Sequence, residues 1–423
     1  MSGVAGTGPD TVYLHIGLHK TGTTFVQNML AANQAQLRDG GVDYPGGKGE
    51  PVQAFAALDL QGRRPRGYND KRVEGSWDAI VAAIHERGLP TALISDERLS
   101  MSTLKQARNA VDSFRDSEVH VVVTARDLGR IAVSAWQESI KGDGTWTWQQ
   151  FVASIRDPAQ IAKAPARSFW LRQDLVKICE TWETVVSTDR VHVVTVPRTG
   201  SSPDDLLRRF ASVVGFDPTL LTERAAWSNE TVGVAATEVL RRVNERLDGR
   251  LNQREHDHAI KNTLVPMLAE RTEPVRFTLP EEEVAWVSTR ADEMISAVIE
   301  HGYSVVGDIE DLRVTVRPGG RRPDDPSEGE LLAASLDALA MLSEKYATTW
   351  WARRKVVIET GHDEPHLRSK ARGAVFRGQR KAVELADRNA VAAKAVAALL
   401  KTRDRARLKA RNRSRGGATG RRS

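Results

Sequence analysis

Residues 17–24 combine the residue types that bind an anion. The segment, GLHKTGTT, contains two glycines, one lysine and three threonines within eight positions. An apolar alternation over 12–16 precedes it, and apolar residues at helical spacing over 25–30 follow it, which predicts a strand, a turn and a helix. Such a turn directs backbone N–H groups and the positive end of a helix dipole at one point, and Lys20 adds a full charge. We therefore expect a phosphate-like ligand at this loop.

The position of the lysine separates this loop from a Walker A sequence, which reads G-x-x-x-x-G-K-[ST]. Gly17 and Gly22 have the Walker glycine spacing, but Lys20 precedes the second glycine. The loop therefore lacks the Gly-Lys-Ser/Thr end that would hold Mg²⁺ and a γ-phosphate.

Two further strands end at residues that could take part in chemistry. The apolar run 119–124 leads to Arg126, and the following helix carries Ser134 eight residues later. An arginine can bind a phosphate through two hydrogen bonds, and a serine hydroxyl can add another. The run 91–95 leads to Asp96 and Glu97, of which only one can face a cleft because side chains alternate along a strand.

These motifs together resemble those of sulfotransferases that use PAPS (3′-phosphoadenosine 5′-phosphosulfate). The order Lys-Thr-Gly-Thr-Thr over 20–24 is similar to their 5′-phosphosulfate loop, and Arg126 with Ser134 is similar to their 3′-phosphate site. The resemblance covers roughly residues 11–305, including Trp182, the run 191–196 and Trp-Ser-Asn at 227–229. The C-terminal Arg-Lys-Gly motif of the family's cytosolic members is absent, and Arg130 is the candidate to replace it.

The resemblance implies a role for each matching residue. Lys20 would neutralise the leaving group, and Glu97 would be the general base, with Asp96 as the alternative. Arg126 and Ser134 would bind the 3′-phosphate. The 5′-phosphosulfate would be held by His19, Lys20, Thr21, Gly22, Thr23 and Thr24.

The implied activity is transfer of a sulfuryl group from PAPS to a hydroxyl, or less readily an amine, without a metal ion. The acceptor would be a small molecule or a glycan, such as a carbohydrate or glycolipid. One alternative is a P-loop NTPase or small-molecule kinase, because ALISD over 92–96 resembles a Walker B strand. Another is a polyanion-binding protein whose basic tail is the active part.

Alternating strands and helices predict an α/β protein in which helices cover both faces of a sheet. With the resemblance, this is a three-layer P-loop-like fold with a mostly parallel central sheet, plus a helical C-terminal extension. Ligands bind at the carboxyl ends of such strands. We expect a long loop at 45–75, a mobile segment at 142–168 and one helix over 171–186, the first two shaping the acceptor pocket.

The predicted domains are a sulfotransferase-like domain at 11–310, a linker at 311–328, a helical extension at 329–400 and a disordered basic tail at 401–423. The protein has 423 residues and a net charge of +6, of which the tail contributes +9 and the other 400 residues −3. The tail could contact an anionic membrane surface, whereas nucleic acid is not expected as a partner. One cysteine, Cys179, and no apolar leader or spanning run predict a cytoplasmic protein, peripheral to a membrane at most.

Overall fold

A six-stranded parallel sheet forms the centre of the molecule. The computed structural model describes residues 8–46, 49–50, 52–63, 70–224, 232–271, 277–316 and 320–360. The strands are β1 (Thr11–Gly17), β2 (Val42–Asp43), β3 (Thr91–Ser95), β4 (Glu118–Ala125), β5 (Val191–Thr195) and β6 (Ser304–Val306). Their order is β2-β3-β1-β4-β5-β6, and every neighbouring pair is parallel. The predicted α/β class with a mostly parallel sheet is confirmed.

Helices cover both faces of this sheet. Their bounds are α1 (Thr23–Ala32), α2 (Gln34–Asp39), α3 (Gln53–Leu60), α4 (Ser76–Arg87), α5 (Leu104–Asp112), α6 (Leu128–Lys141), α7 (Trp148–Arg156), α8 (Ala166–Gln173), α9 (Leu175–Glu183), α10 (Pro203–Val214), α11 (Val234–Leu247), α12 (Gln253–His256), α13 (Val265–Arg271), α14 (Glu281–His301) and α15 (Glu328–Thr360). A π-helical segment, Asp257–Leu264, joins α12 to α13.

The alternation of side chains along the strands builds the two outer layers. Val121 and Val123 of β4 belong to the larger core, which also contains residues of α4, α5, α6, α9 and α14. Val122, between them, belongs to the second core with residues of α1, α2 and α10. A central strand buried on both faces reads as a continuous apolar run, as β4 does.

The strand register brings the carboxyl ends of three adjacent strands together. β1 lies between β3 and β4, and Val12 is aligned with Ala92 on one side and Val119 on the other. The loop after β1 is therefore flanked by the residues that follow β3 and β4, which is where parallel sheets bind their ligands.

Three predictions about connecting segments are wrong. The expected loop at 45–75 contains α3, whose Ala56 and Ala57 are buried against the core. The expected mobile segment at 142–168 contains α7, which begins at a capping box between Thr147 and Gln150. The single helix expected over 171–186 is broken at Asp174, whose side chain caps α9.

The chain divides into two compact units, residues 1–342 and 343–423. Within the first, α15 begins at a capping box in which Ser327 Oγ accepts from the Glu330 N–H and the Glu330 carboxylate accepts from the Ser327 N–H. The predicted linker, extension and tail boundaries stay predictions, and the tail lies outside the described residues. In the described part of the chain, no helix combines the length and apolarity that a membrane span requires.

Candidate active site

The loop after β1 lies directly against the turn that follows β3. Gly17 has a φ of +96°, and a Cβ placed there would lie 2.9 Å from Cβ of Glu97. The N–H of Asp96 donates to the carbonyl of His15 over 3.1 Å. Glycine at position 17 is thus required by both its backbone conformation and the close approach of Glu97.

The same loop is tied to β4 on its other side. The N–H of Leu18 donates to the carbonyl of Thr124 over 2.7 Å. Lys20 is one of few non-glycine residues with a positive φ, +66°, and its carbonyl accepts a hydrogen bond of 3.3 Å from Nη1 of Arg126. Arg126 therefore bonds to the loop that carries Lys20, and the structure brings the two sequence-predicted phosphate-binding regions into contact.

The first turn of α1 is arranged to receive an anion. Its N-cap, Gly22, has a left-handed backbone and provides no side-chain cap, and the turn contains no acidic residue. The first N–H groups of a helix have no partner inside the helix, so an anion can accept their hydrogen bonds. Thr23 is buried in this turn, whereas Thr24 is exposed.

Thr21 uses its hydroxyl inside the protein. Its side chain is fully buried, donates to the carbonyl of Leu18 over 2.5 Å and lies 2.7 Å from Oγ1 of Thr124. The hydroxyl therefore fixes the loop to β4.

His15 is a core histidine, as its position within a strand suggests. It is fully buried between Ser95 Oγ, 2.7 Å from Nδ1, and Thr124 Oγ1, 3.2 Å from Nε2. Burial lowers its pKa to about 4, so the ring is neutral at pH 7. This neutral ring links the three central strands behind the loop.

Glu97 and Asp96 differ in what surrounds their carboxylates. Asp96 is buried, and both of its oxygens accept from Arg98, through the backbone N–H at 2.9 Å and Nη1 at 2.6 Å. Glu97 is half-buried and accepts from Nε2 of Gln27 over 3.1 Å. Both oxygens of Asp96 are thus hydrogen-bonded to Arg98 in the same turn, whereas the hydrogen bond from Gln27 engages one oxygen of Glu97, beside the loop.

The pKa shifts of these groups define their charges at pH 7. Burial alone would raise the pKa of Glu97, but His19 and the Gln27 hydrogen bond bring that pKa below its ordinary value. Burial lowers the pKa of His19 to about 4, so its imidazole is neutral. Burial raises the pKa of Asp96 to about 6. At pH 7 the carboxylate of Glu97 is ionised and able to accept a proton.

An ion-paired cluster beside the loop was not foreseen from the sequence. Lys20 Nζ lies 3.4 Å from one oxygen of Glu138 on α6, and Lys261 Nζ lies 2.9 Å from the other. Glu138 follows Ser134 by four residues and so lies on the same face of α6. That spacing is the sequence signal that could have identified it.

The remaining predicted 3′-phosphate residues lie along this face of α6. Ser134 is half-buried, one turn after Arg130. Arg130 forms an ion pair with Asp127, and its Nη1 donates to the carbonyl of Pro197 over 3.4 Å. The joint binding of a phosphate by Arg126 and Ser134 stays a prediction. The Trp-Ser-Asn segment at 227–229 lies outside the described residues.

Comparisons with known proteins found few similarities to this chain. No protein-family model matches the chain, and no curated protein matches it significantly. Among solved structures, the crystal structure of a sulfotransferase from Alicyclobacillus acidocaldarius is similar over 52% of this chain and 86% of that one. The sequence identity is 13% and the TM-score 0.36. Both values are low, so the fold class rests on the strand order and layers described above.

Proposed function

We propose that this chain is a sulfotransferase that moves a sulfuryl group from PAPS to a hydroxyl, or less readily an amine, of an acceptor. One observation carries the proposal: the ends of β3, β1 and β4 bring a carboxylate, an anion-binding loop and an arginine to one place. Glu97 lies against Gly17, and Arg126 bonds to the carbonyl of Lys20. A loop for one phosphate and an arginine beside it suit a donor that carries two phosphate groups.

Different groups would act on the acceptor and on the leaving group. Glu97 would take the proton of the acceptor hydroxyl as the acceptor oxygen forms its bond to sulfur. The bond between sulfur and the phosphate oxygen breaks, and 3′,5′-ADP leaves with the electron pair. Lys20 and the N–H groups of the first turn of α1 would stabilise that negative charge, by analogy with phosphoryl transfer.

The donor site is tested by calorimetric titration of the purified protein with 3′,5′-ADP, ATP and 5′-AMP in the absence of metal ions. We expect 3′,5′-ADP to bind most tightly, because it has both phosphates. Lys20→Ala and Arg126→Ala should each weaken that binding by about tenfold or more, since charge-assisted hydrogen bonds contribute about 1.5–3 kcal/mol. Lys177→Ala and Arg108→Ala, at exposed positions on α9 and α5, are the matched controls.

The same titration separates this proposal from its rivals. Preference for ATP, with a strict requirement for Mg²⁺, would replace it with a kinase or NTPase. Unchanged binding in Arg126→Ala would remove the second phosphate site and the PAPS assignment with it.

The acceptor is proposed to be a small molecule or a glycan, and the cytoplasm is the proposed location.

A further inference from the structure

The carboxylate of Glu138 lies between two lysines from different parts of the chain. Lys20 comes from the loop after β1, and Lys261 comes from the π-helical segment Asp257–Leu264. The two ammonium groups lie 3.4 Å and 2.9 Å from different oxygens of the one carboxylate. The arrangement is that of an anion held by two cations.

All three side chains are open to a ligand. The exposed fractions are 33% for Lys20, 36% for Glu138 and 45% for Lys261. An incoming phosphate would replace one charge-assisted pair of the two lysines with another, so the exchange keeps both ammonium groups paired. π-Helical turns are rare in proteins, and those that occur often lie at functional sites.

The position of this cluster is a second argument for anion binding. Lys20 is the lysine of the anion-binding loop, and Ser134 lies one turn before Glu138 on the same face of α6. Lys261 thus pairs with the same carboxylate as the lysine of the loop, on the helix that follows β4. The charges act together, because burial would raise the pKa of Glu138 but Lys20 and then Lys261 lower it to about 2.

We propose that Lys261 is a further anion-binding residue for the 5′ end of the donor, and that Glu138 competes with the donor's anionic group for Lys20 and Lys261. This rests on the proposed function for the identity of the donor. Glu138 is then a positioning residue: it holds both ammonium groups beside the loop until a phosphate or phosphosulfate replaces its carboxylate.

The test is calorimetric titration of the full chain with 3′,5′-ADP and 5′-AMP. Lys261→Ala should weaken the binding of both nucleotides about fivefold to tenfold. Glu138→Gln should tighten both about threefold, because it removes the competing charge but keeps the shape. In the Glu138→Gln background, Lys261→Ala should cost more than in the wild type, since Lys261 then has only the ligand to bind.

Matched controls are Lys177→Ala and Glu293→Gln, the latter in an exposed pair with Arg290. Both should bind like the wild type. A merely structural cluster would give losses in both Lys261→Ala and Glu138→Gln, and that result would overturn the proposal. An effect of Lys261→Ala on 3′,5′-ADP but not on 5′-AMP would move Lys261 to the 3′ end and overturn the assignment made here.

The two proposals fail in different ways. If the wild type prefers ATP, the sulfotransferase assignment fails, but opposite effects of Lys261→Ala and Glu138→Gln on ATP binding would still support the anion site. If 3′,5′-ADP binds tightly and neither variant alters its affinity, the donor site stands and the role of Lys261 and Glu138 is rejected. Absence of binding by every nucleotide would overturn both.

Discussion

Two adjacent acids, Glu97 and Asp96, should respond differently to the loss of charge. Glu97→Gln removes the proposed base and should lower the turnover number about 100-fold, while the affinity for 3′,5′-ADP changes by less than about twofold. The measurement is the rate of 3′,5′-ADP release from PAPS with a hydroxyl acceptor that supports wild-type turnover. A rate close to that of the wild type would remove Glu97 from the mechanism.

Asp96→Asn is the matched comparison. Both Asp96 oxygens accept hydrogen bonds from Arg98, so the amide loses a charge-assisted partner. Burial disfavours the charge of Asp96 and raises its pKa to about 6, so removal of that charge should offset part of the loss. We expect the free energy of unfolding at pH 7, measured by urea denaturation, to fall by no more than about 1 kcal/mol, with turnover of the folded variant near that of the wild type. A selective loss of turnover in Asp96→Asn would exchange the roles of the two acids.

His15 should make stability depend on pH in a defined direction. Burial lowers its folded-state pKa to about 4, against an ordinary value of 6.5, so folding favours the neutral ring. The contribution of His15 to the free energy of unfolding is fully present above about pH 6.5. That contribution falls by up to about 3 kcal/mol as the pH decreases toward 4. Denaturation of the wild type and His15→Gln between pH 7 and 4 should show a smaller loss in the variant.

The exposed His258 supplies the control for this comparison, as His258→Gln should follow the wild-type pH dependence. Equal slopes in the wild type and His15→Gln would show that His15 is not the group responsible.

At the level of residues, local motifs could be predicted and long-range partners could not. Glu97, Lys20 and Arg126 each follow a buried strand within one to three residues, so chain order alone places them at one edge of the sheet. Lys261 reaches Glu138 from 123 residues away along the chain. Nothing in its local sequence, inside a charged stretch, indicates that contact.

The loop between β1 and α1 packs closely against the turn after β3, which makes Gly17 a sensitive position. Alanine there would combine an unfavourable φ of +96° with a Cβ 2.9 Å from Cβ of Glu97. We expect Gly17→Ala to cost about 3 kcal/mol in the free energy of unfolding, from backbone strain and overpacking together, and to weaken nucleotide binding.

Gly302→Ala is a control that isolates the backbone term. Its φ is +73° and a Cβ there meets no atom within 4 Å, so about 1 kcal/mol is expected. Thermal or chemical denaturation gives both values. Equal costs at the two glycines would show that the contact with Glu97 is easily relieved.

Long apolar strands were predicted closely, whereas elements that are short or of unusual composition were missed. The run 91–95 is β3, and the run 119–124 lies within β4. α3 was missed because the glycines, prolines and arginines around it outweigh its short alanine-rich core, Ala54–Ala57. β6 was missed because three residues give too short an alternation, and its pairing with β5 is what makes it a strand.

For the whole molecule, positive charge is concentrated in the last 23 residues of the chain. Residues 401–423 contain ten lysines and arginines against one aspartate, while the other 400 residues sum to −3. A basic segment near an anionic surface gains about 1 kcal/mol per lysine or arginine, reduced by salt. The tail could therefore control where the protein lies without taking part in the reaction.

Removal of residues 401–423 tests that separation. The candidate site is built from residues 15–261, so the truncated chain should bind 3′,5′-ADP within about twofold of the full chain at about 0.15 M salt. Sedimentation with phosphatidylserine-containing vesicles should fall strongly, because a net charge of +9 is lost. A full-length variant with the ten tail lysines and arginines replaced by glutamine should match the truncation in vesicle binding, which separates charge from length.

Loss of nucleotide binding on truncation would favour the polyanion-binding alternative, in which the tail is the active part. Retained vesicle binding would instead place any membrane contact within residues 1–400.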